Sequence, residues 1–274
     1  MIPFLKRWLR PFKPVLGPIY RRLVRLTNAR SRQQLSIRAQ RLAAEAADAA
    51  RRTAGRADPP IRAMRQYELL ELAAEVPYYR ARTVYMRRAG DIADELIARD
   101  ELSTALELGP HIQPLIVGAD VMDLRLAPDL RTTGRQVAAD ATKAPWPFPD
   151  KAYDLFVALQ VFEHLGTRQA DAFREVRRVA RHAILSLPID WEMDDPRNCH
   201  HLLRHEKVLE WVAPIVPTRV VEGNGGHRKR LIYVFENLPP LEPEASAGAQ
   251  IEEPGTADAV PADAVPAPEV ATEA

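Results

Sequence analysis

The most informative part of this chain is Ala105-Leu-Glu-Leu-Gly-Pro110, followed by Gly118-Ala-Asp-Val-Met-Asp-Leu124. Each half is an apolar run with an acid near its end: Glu107 precedes Gly109, and Asp123 closes the second run. Open α/β sheets place such strand ends around a ligand crevice, where glycine lets the backbone approach the ligand and a carboxylate accepts two ribose hydroxyls. The pattern predicts a nucleoside-binding edge that has one glycine where a glycine-rich loop usually has several.

Apolar strand patterns and helical patterns alternate between residues 103 and 236. The predicted strands are 103–108, 119–123, 135–139, 153–159, 182–188, 217–223 and 230–236, and the predicted helices are 161–165, 168–181 and 203–213. Long apolar strands separated by helices predict an α/β fold, with a Rossmann-like, mostly parallel sheet that is covered on both faces. The turn Gly223-Asn-Gly-Gly226 predicts that the last two strands form an antiparallel hairpin.

Four regions are predicted along the chain. They are a basic amphipathic helical extension at 1–56, lead-in helices at 57–102, a core at 103–237 and a disordered acidic Ala/Pro tail at 238–274. We expect the first lead-in helix to start at Asp58-Pro-Pro60, since proline favours the first turn, and the second to span 80–99. Both lie directly before the first strand of the core, so they are a candidate lid over the crevice.

The formal net charge of +1 hides a strong asymmetry along the 274 residues. Residues 1–44 hold eleven Lys and Arg and no acid, whereas residues 241–274 hold eight Asp and Glu and no base. Cys199 is the single cysteine, which excludes an internal disulfide and suits a reducing compartment. Since the sequence has no apolar run of about 18 residues, we expect no membrane span and a cytoplasmic location.

Residues 1–26 interleave basic side chains with Phe, Trp, Tyr and aliphatic residues at helical spacing. This composition is typical of a helix that lies on an anionic membrane surface, which would make the protein peripheral to the inner face of the membrane. The alternatives are packing on the chain's own domain or on a second subunit, with the oligomeric state left open. Nucleic acid is the least favoured partner, because no recognised binding motif accompanies the charge.

The ordered motifs of the core resemble those of class I S-adenosylmethionine-dependent methyltransferases, over about residues 103–236. The segments that carry the resemblance are Ala105-Leu-Glu-Leu-Gly109, Val121-Met-Asp123, Ala138-Ala-Asp140-Ala141, Trp146-Pro-Phe-Pro-Asp150 with Tyr153-Asp-Leu-Phe156, Val161-Phe-Glu-His-Leu165 and His182-Ala-Ile-Leu-Ser-Leu-Pro188. The resemblance implies S-adenosyl-L-methionine as cofactor. A sulfonium and an ammonium need carboxylates and carbonyl dipoles, so a phosphate-binding glycine loop is not required.

The resemblance also implies a role for each matching position. Glu107 would reach the ammonium of the cofactor, and Gly109 would approach its methionine part. Asp123 would bind the ribose hydroxyls, and Asp140 and the Ala141 N–H would bind adenine. Gln160 and Val161 would lie along the methionyl part and the methyl group. One departure stands out: 16 positions separate Glu107 from Asp123, with Pro110 and Pro114 between them. We therefore expect a proline-shaped loop where the family has a helix, with His111 and Gln113 as polar contacts.

The binding site of the methyl acceptor, the acceptor side of the crevice, is predicted in the loop Asp190–His205, which follows the fifth strand of the core. His201 is the first candidate general base, with His164 and His200 behind it; any one of them could instead order the loop. Cys199, His200, His201 and His205 are potential soft ligands, and His201 and His205 have helical i, i+4 spacing. Because no second CxxC or HxxxH pair supports a site, no metal is predicted.

The sequence favours an S-adenosylmethionine-dependent methyltransferase that acts on a small-molecule, glycan or lipid-linked acceptor at the cytoplasmic membrane surface. The alternative is a catalytically degenerate methyltransferase fold that serves as a scaffold or as a membrane-associated binding protein. A nucleotide-dependent oxidoreductase is a third and weaker hypothesis.

Overall fold

A computed structural model describes residue 29 and residues 31–44, 60–224 and 228–241. The strands are β1 Arg62–Ala63, β2 Ala105–Leu108, β3 Ile116–Val117, β4 Asp120–Asp123, β5 Gln136–Ala138, β6 Tyr153–Leu159, β7 Ala180–Pro188, β8 Arg219–Asn224 and β9 Arg230–Phe235. The helices are α1 Gln66–Glu75, α2 Thr83–Asp100, α3 Gln169–Val179 and α4 His205–Val212, with short 3-10 helices at Pro77–Tyr79 and Phe162–His164. Residues 31–44 are also helical.

Seven strands form one sheet in the order β5-β4-β2-β6-β7-β9-β8. The first five are parallel, and β9 runs antiparallel to both of its neighbours. The predicted Rossmann-like, mostly parallel sheet with an antiparallel last hairpin is confirmed. In the middle of the sheet Glu107 is aligned with Val121 of β4 and with Val157 of β6, so these strands end at the same edge.

Strand alternation divides the apolar side chains between two cores, one on each face of the sheet. Leu106 and Leu108 of β2 join the core that contains Phe173 of α3. Ala105 of β2 joins the opposite core, which contains Leu96 of α2. A fully buried side chain of this size contributes about 1.5–3 kcal/mol, so the two cores fix the direction in which every residue of β2 points.

No helix joins β2 to β4; the link is a loop that contains β3, as the prolines predict. β3 pairs antiparallel with β1, so that Arg62 lies opposite Val117 and Ala63 opposite Ile116. Gly118 follows with φ +87°, and a Cβ there would lie 2.6 Å from the carbonyl oxygen of Pro60. This close approach requires glycine and allows the loop between β2 and β4 to pack against the segment before α1.

The prediction that a helix begins at Asp58-Pro-Pro60 is wrong for the described residues. The chain first forms β1, and α1 begins at Gln66. Pairing with β3 holds this segment extended, and the Ala63 N–H donates to Asp94 of α2 at 2.8 Å. Strands of two residues are too short to show the alternation by which a strand is recognised in a sequence.

Several predictions fall outside the described residues. These are the basic helices within 1–26, most of the extension 1–56, the tail beyond Leu241 and part of the turn Gly223–Gly226. The division at residues 56, 102 and 237 stays a prediction. Among the helices that are described, none combines the length and the apolar composition that crossing a membrane requires.

Candidate functional site

The carboxyl ends of neighbouring strands bring the predicted cofactor residues to one edge of the sheet. Gly109 directly follows β2, Asp123 is the last residue of β4, and Gln160 directly follows β6. Asp140 lies two residues beyond β5, the strand next to β4. Parallel strands on both sides of β2 therefore place one glycine, two carboxylates and one amide in a single row.

Gly109 is required by its backbone conformation and by its neighbour. Its φ is +63°, and a Cβ there would lie 2.9 Å from Cγ2 of Val161. Its N–H donates to the carbonyl oxygen of Met122 at 2.9 Å, which continues the pairing of β2 with β4. Any side chain here would be strained and would displace Val161, so this one glycine sets the close approach between the two strand ends.

Glu107 lies beneath the loop that replaces the helix. Its side chain is buried, with Oε1 accepting from the Leu115 N–H at 2.9 Å and Oε2 accepting from the Ile116 N–H at 3.0 Å. Burial raises the pKa of this carboxyl to about 7, although the two N–H donors act in the opposite direction. Glu107 thus accepts hydrogen bonds from N–H groups that a helix would satisfy internally. These partners differ from the cofactor ammonium that the resemblance implies for Glu107.

Tyr79 also fixes this loop. Its hydroxyl donates to the carbonyl oxygen of Pro110 at 3.1 Å and accepts from the N–H groups of Ile112 and Gln113 at 3.3 and 3.1 Å. Burial raises the pKa of this phenol to about 12, so it stays a donor at every physiological pH. The loop between β2 and β3 is therefore fixed by two buried side chains.

The segment that joins α1 to α2 covers the end of β2. Tyr78 stacks on His111 with ring centroids 4.2 Å apart, and the guanidinium of Arg82 lies 3.5 Å from the centroid of Tyr78. A cavity of about 20 Å³ remains between this segment and the end of β2, bordered by Glu107 and Gly109 among others. The predicted lead-in region thus contacts the crevice through the residues around Tyr78.

Asp123 and Asp140 present carboxylates at the next two strand ends. Oδ1 of Asp123 accepts from the Arg125 N–H at 3.2 Å, and within the described chain Oδ2 accepts no hydrogen bond. Oδ1 of Asp140 accepts from the N–H and the hydroxyl of Thr142, which lowers the pKa of this carboxyl. Ala141 lies beside it, buried, and its carbonyl oxygen accepts from Nε1 of Trp146 at 3.2 Å.

Gln160, at the end of β6, contacts the buried Arg230, which no motif in the sequence indicates. Oε1 of Gln160 accepts from Nε of Arg230 at 2.9 Å, and its Nε2 donates to Oγ of Ser186 at 3.3 Å. The guanidinium of Arg230 lies 4.6 Å from the ring centroid of Tyr85 and 4.6 Å from that of Trp191. Burial lowers the pKa of Arg230, and no described carboxylate forms an ion pair with it.

Two of the three candidate histidines come together. The rings of His164 and His200 are 4.9 Å apart, and Nδ1 of His164 lies 3.1 Å from Sγ of Cys199. Nε2 of His200 lies 3.4 Å from Oε1 of Glu163. These side chains come from the 3-10 helix after β6 and from the loop after β7, and no spacing in the sequence indicates their meeting.

His201 lies outside this group. Its Nδ1 accepts from the Met193 N–H at 3.1 Å, and its backbone bridges to Trp191. His205 also points elsewhere, with Nδ1 3.0 Å from the hydroxyl of Tyr233. The helical i, i+4 spacing of the two histidines therefore does not bring them to one site, because α4 begins at His205 and His201 lies in the loop.

The polar groups at these strand ends fit a nucleoside. Asp123 offers an oxygen without a described partner, and Asp140 offers a carboxylate that stays ionised next to the buried Ala141. Gly109 gives the backbone approach that a side chain would block. The resemblance implies that the methionine part of the cofactor lies next to Glu107 and Gly109. The cavity there, lined also by Tyr78 and Tyr79, has a volume of about 20 Å³.

A family model described as a methyltransferase domain matches residues 105–183. This match covers β2 to the first half of β7, and it confirms the resemblance to the methyltransferase family that the motifs indicate. No curated protein matches the chain.

Solved structures of methyltransferases are similar to this chain at low sequence identity. One from Aquifex aeolicus is 14% identical, with a TM-score of 0.36 over 54% of this chain and 96% of that one. One from Clostridium acetobutylicum is 10% identical, with a TM-score of 0.43 over 57% and 92%. The N-methyltransferase NodS from Bradyrhizobium japonicum is 17% identical, with a TM-score of 0.41 over 60% and 98%.

Proposed function

We propose that this chain, whose residues 105–183 match a methyltransferase domain, is an S-adenosylmethionine-dependent methyltransferase. The observation that carries the proposal is the row of Gly109, Asp123 and Asp140 at the ends of β2, β4 and β5. The proposed acceptor is a small molecule, a glycan or a lipid-linked compound. When it is bound, the cofactor supplies an electrophilic methyl group on a sulfonium.

The chain's own residues would hold the cofactor through complementary charge and shape. Asp123 would accept the two ribose hydroxyls, and Asp140 with the Ala141 N–H would bind the adenine edge. Gly109 gives the methionine part access to the backbone, while Gln160 and Val161 border the position of the transferred methyl. Glu107 acts beneath them by fixing the loop, so its contribution to cofactor binding is positional.

Holding the acceptor in line with the methyl group would provide most of the acceleration. Orientation of this kind contributes up to about 7–11 kcal/mol in favourable intramolecular reactions. Arg230 donates to Gln160 and lies against the ring of Trp191, so these two side chains are suited to orienting the acceptor. If the acceptor is a hydroxyl, a histidine would take its proton, which is worth roughly 10²–10⁴-fold. His164 and His200 are the candidates for this role, because neutral His201, the first candidate from the sequence, accepts the Met193 N–H at Nδ1 and so carries its own proton on Nε2.

The test is transfer of labelled methyl groups from S-adenosylmethionine to a panel of small-molecule, glycan and lipid-linked acceptors. We expect one class to accept label with the wild-type protein and Asp123→Ala to abolish the transfer. Asp129→Ala is the matched control, because this carboxylate is exposed on the loop that follows the same strand. Transfer that is equal in both variants would contradict the role of Asp123.

A non-catalytic scaffold is the second candidate function. It is supported by the occupied oxygens of Glu107 and by the narrow cavity at the methionine end. The two functions differ in cofactor binding and in transfer. A folded protein that binds neither S-adenosylmethionine nor its demethylated product would favour the scaffold.

An anionic membrane surface is the proposed location of the acceptor, supported by the basic amphipathic pattern of residues 1–26. The full chain should sediment with anionic vesicles, and a form that lacks residues 1–30 should remain in the supernatant. Equal sedimentation of the two forms would contradict this location.

A further inference from the structure

A cluster of metal-ligating side chains lies beside the end of β6. His164, Cys199 and His200 each offer one ligand atom, and these three atoms all lie within 4.8 Å of one another. The closest pair is Nδ1 of His164 and Sγ of Cys199, at 3.1 Å. Two separate segments of the chain build the cluster, the 3-10 helix Phe162–His164 and the loop that follows β7.

Glu163 gives an independent indication of a bound cation. Its side chain is fully buried, and neither carboxylate oxygen has a hydrogen-bond partner among the described residues. Nε2 of His200 approaches Oε1 to 3.4 Å, slightly beyond a good hydrogen bond. A buried carboxylate without a hydrogen bond is costly, and the buried guanidinium of Arg230 acts on Glu163 only from beyond ion-pair distance, so a cation next to His200 would lower this cost further.

The chemistry of the donors selects the metal. A thiolate and two imidazoles form a soft and borderline set, which suits zinc better than magnesium or calcium. Zinc bonds of about 2.0–2.3 Å in tetrahedral geometry place the ligand atoms about 3.3–3.6 Å apart, a separation between the 3.1 Å of the closest pair and the 4.8 Å that bounds the cluster.

We propose that His164, Cys199 and His200 bind a zinc ion, with Glu163 holding the ring of His200 through the nitrogen that does not face the metal. Histidine ligands of zinc commonly donate their second N–H to a carboxylate in this way. Three protein ligands leave one coordination position open, as in catalytic zinc sites. This set differs from the i, i+4 pair of the sequence, since His201 and His205 have other partners.

The site lies on the acceptor side of the crevice, because Glu163 and His164 follow Gln160 by three and four residues. A zinc ion there would occupy nitrogens of His164 and His200 and withdraw both side chains from proton transfer. Zinc binding itself does not depend on methyltransferase activity, so the two are tested separately.

The experiment titrates Zn²⁺ into tag-free, full-length protein that has been treated with a chelator, by calorimetry. Co²⁺ is added to a separate metal-free sample of the same preparation, without Zn²⁺, to record the absorption spectrum. We expect one ion per chain and a thiolate-to-cobalt charge-transfer band.

Cys199→Ser should remove the band, and Cys199→Ser and His164→Ala should each lower the zinc affinity more than about 100-fold. Glu163→Gln should lower it about 10–100-fold, the range for outer partners of zinc ligands.

His201→Ala is the matched control, because it removes the neighbouring histidine that lies outside the cluster. Its zinc affinity should equal that of the wild type, and circular dichroism should show that every variant is folded. Folded wild-type protein that binds no zinc, an unchanged affinity in Cys199→Ser, or an equal loss in His201→Ala would overturn the proposal. Binding of S-adenosylmethionine by the metal-free protein is measured in parallel and reports on the methyltransferase function alone.

Discussion

Replacing Glu107 by Gln should change the pH dependence of stability in a defined direction. Burial raises the pKa of Glu107 from an ordinary value of 4.5 to about 7 in the folded protein. Between these two values the folded state binds the proton more tightly than the unfolded state does. Rising pH therefore removes stability from the wild-type protein at this position, and Gln, which does not titrate, escapes the loss.

The size of the effect follows from the two pKa values. Integrated between pH 5 and pH 8, the loss attributable to Glu107 is about 2.5 kcal/mol in the free energy of unfolding. Gln keeps one oxygen acceptor for the N–H groups of Leu115 and Ile116 but turns an N–H toward the other donor. That change costs about 1–3 kcal/mol at any pH, so the diagnostic quantity is the slope and not the offset.

The assay is urea unfolding of both proteins at pH 5, 6, 7 and 8, followed by circular dichroism. The stability of Glu107→Gln relative to the wild type should rise by about 2–3 kcal/mol across this range. Taking the difference between the two proteins cancels the titration of all other groups. Parallel pH profiles would refute the assignment of Glu107 as a buried carboxyl that titrates near neutrality.

Two further substitutions test the fixed loop and the close approach beside it. Tyr79→Phe removes the hydroxyl that serves Pro110, Ile112 and Gln113, so unfolding should become easier by about 1–3 kcal/mol in urea; a change below about 0.5 kcal/mol would contradict this role. Gly109→Ala should cost about 2–4 kcal/mol by the same measurement, because the left-handed conformation and the contact with Val161 both oppose a Cβ. Val161→Ala in the same chain should recover about half of that loss, and no recovery would show that the contact is unimportant.

The sheet could be predicted because its central strands β6 and β7 are long and apolar and the shorter strands alternate with helices or loops around them. β6 and β7 are buried along most of their length, so their sequences read as continuous apolar runs. β1 and β3 could not be predicted, since each has two residues and their pairing joins segments more than fifty positions apart. The late start of α1 follows from the same pairing.

The strand-end carboxylates were predictable in position, and their hydrogen-bond partners were not. The short link between Glu107 and Asp123 indicated that a loop replaces a helix. It did not indicate that Glu107 would satisfy the N–H groups of Leu115 and Ile116. Helices satisfy such groups internally, and a loop that lacks a helix needs a side chain to do so.

Arg230 and the histidine cluster show why the acceptor side is harder to predict than the cofactor side. Arg230 is the first residue of β9, where alternation alone would allow it to point to solvent, yet it lies between Tyr85 and Trp191. His164 and His200 are 36 positions apart and meet because the loop after β7 returns to the end of β6. Loops that follow different strands converge only in the folded chain, so sequence spacing carries no signal for them.

Binding of S-adenosylmethionine and of its demethylated product can be measured by calorimetric titration. We expect one binding site per chain in the wild type and in Asp129→Ala. The affinity should be at least about tenfold lower in Asp123→Ala, since losing hydrogen bonds between a charged group and two hydroxyls costs at least about 1.5 kcal/mol. Folded wild-type protein that binds neither ligand, or an unchanged affinity in Asp123→Ala, would show that these strand ends do not form a cofactor site.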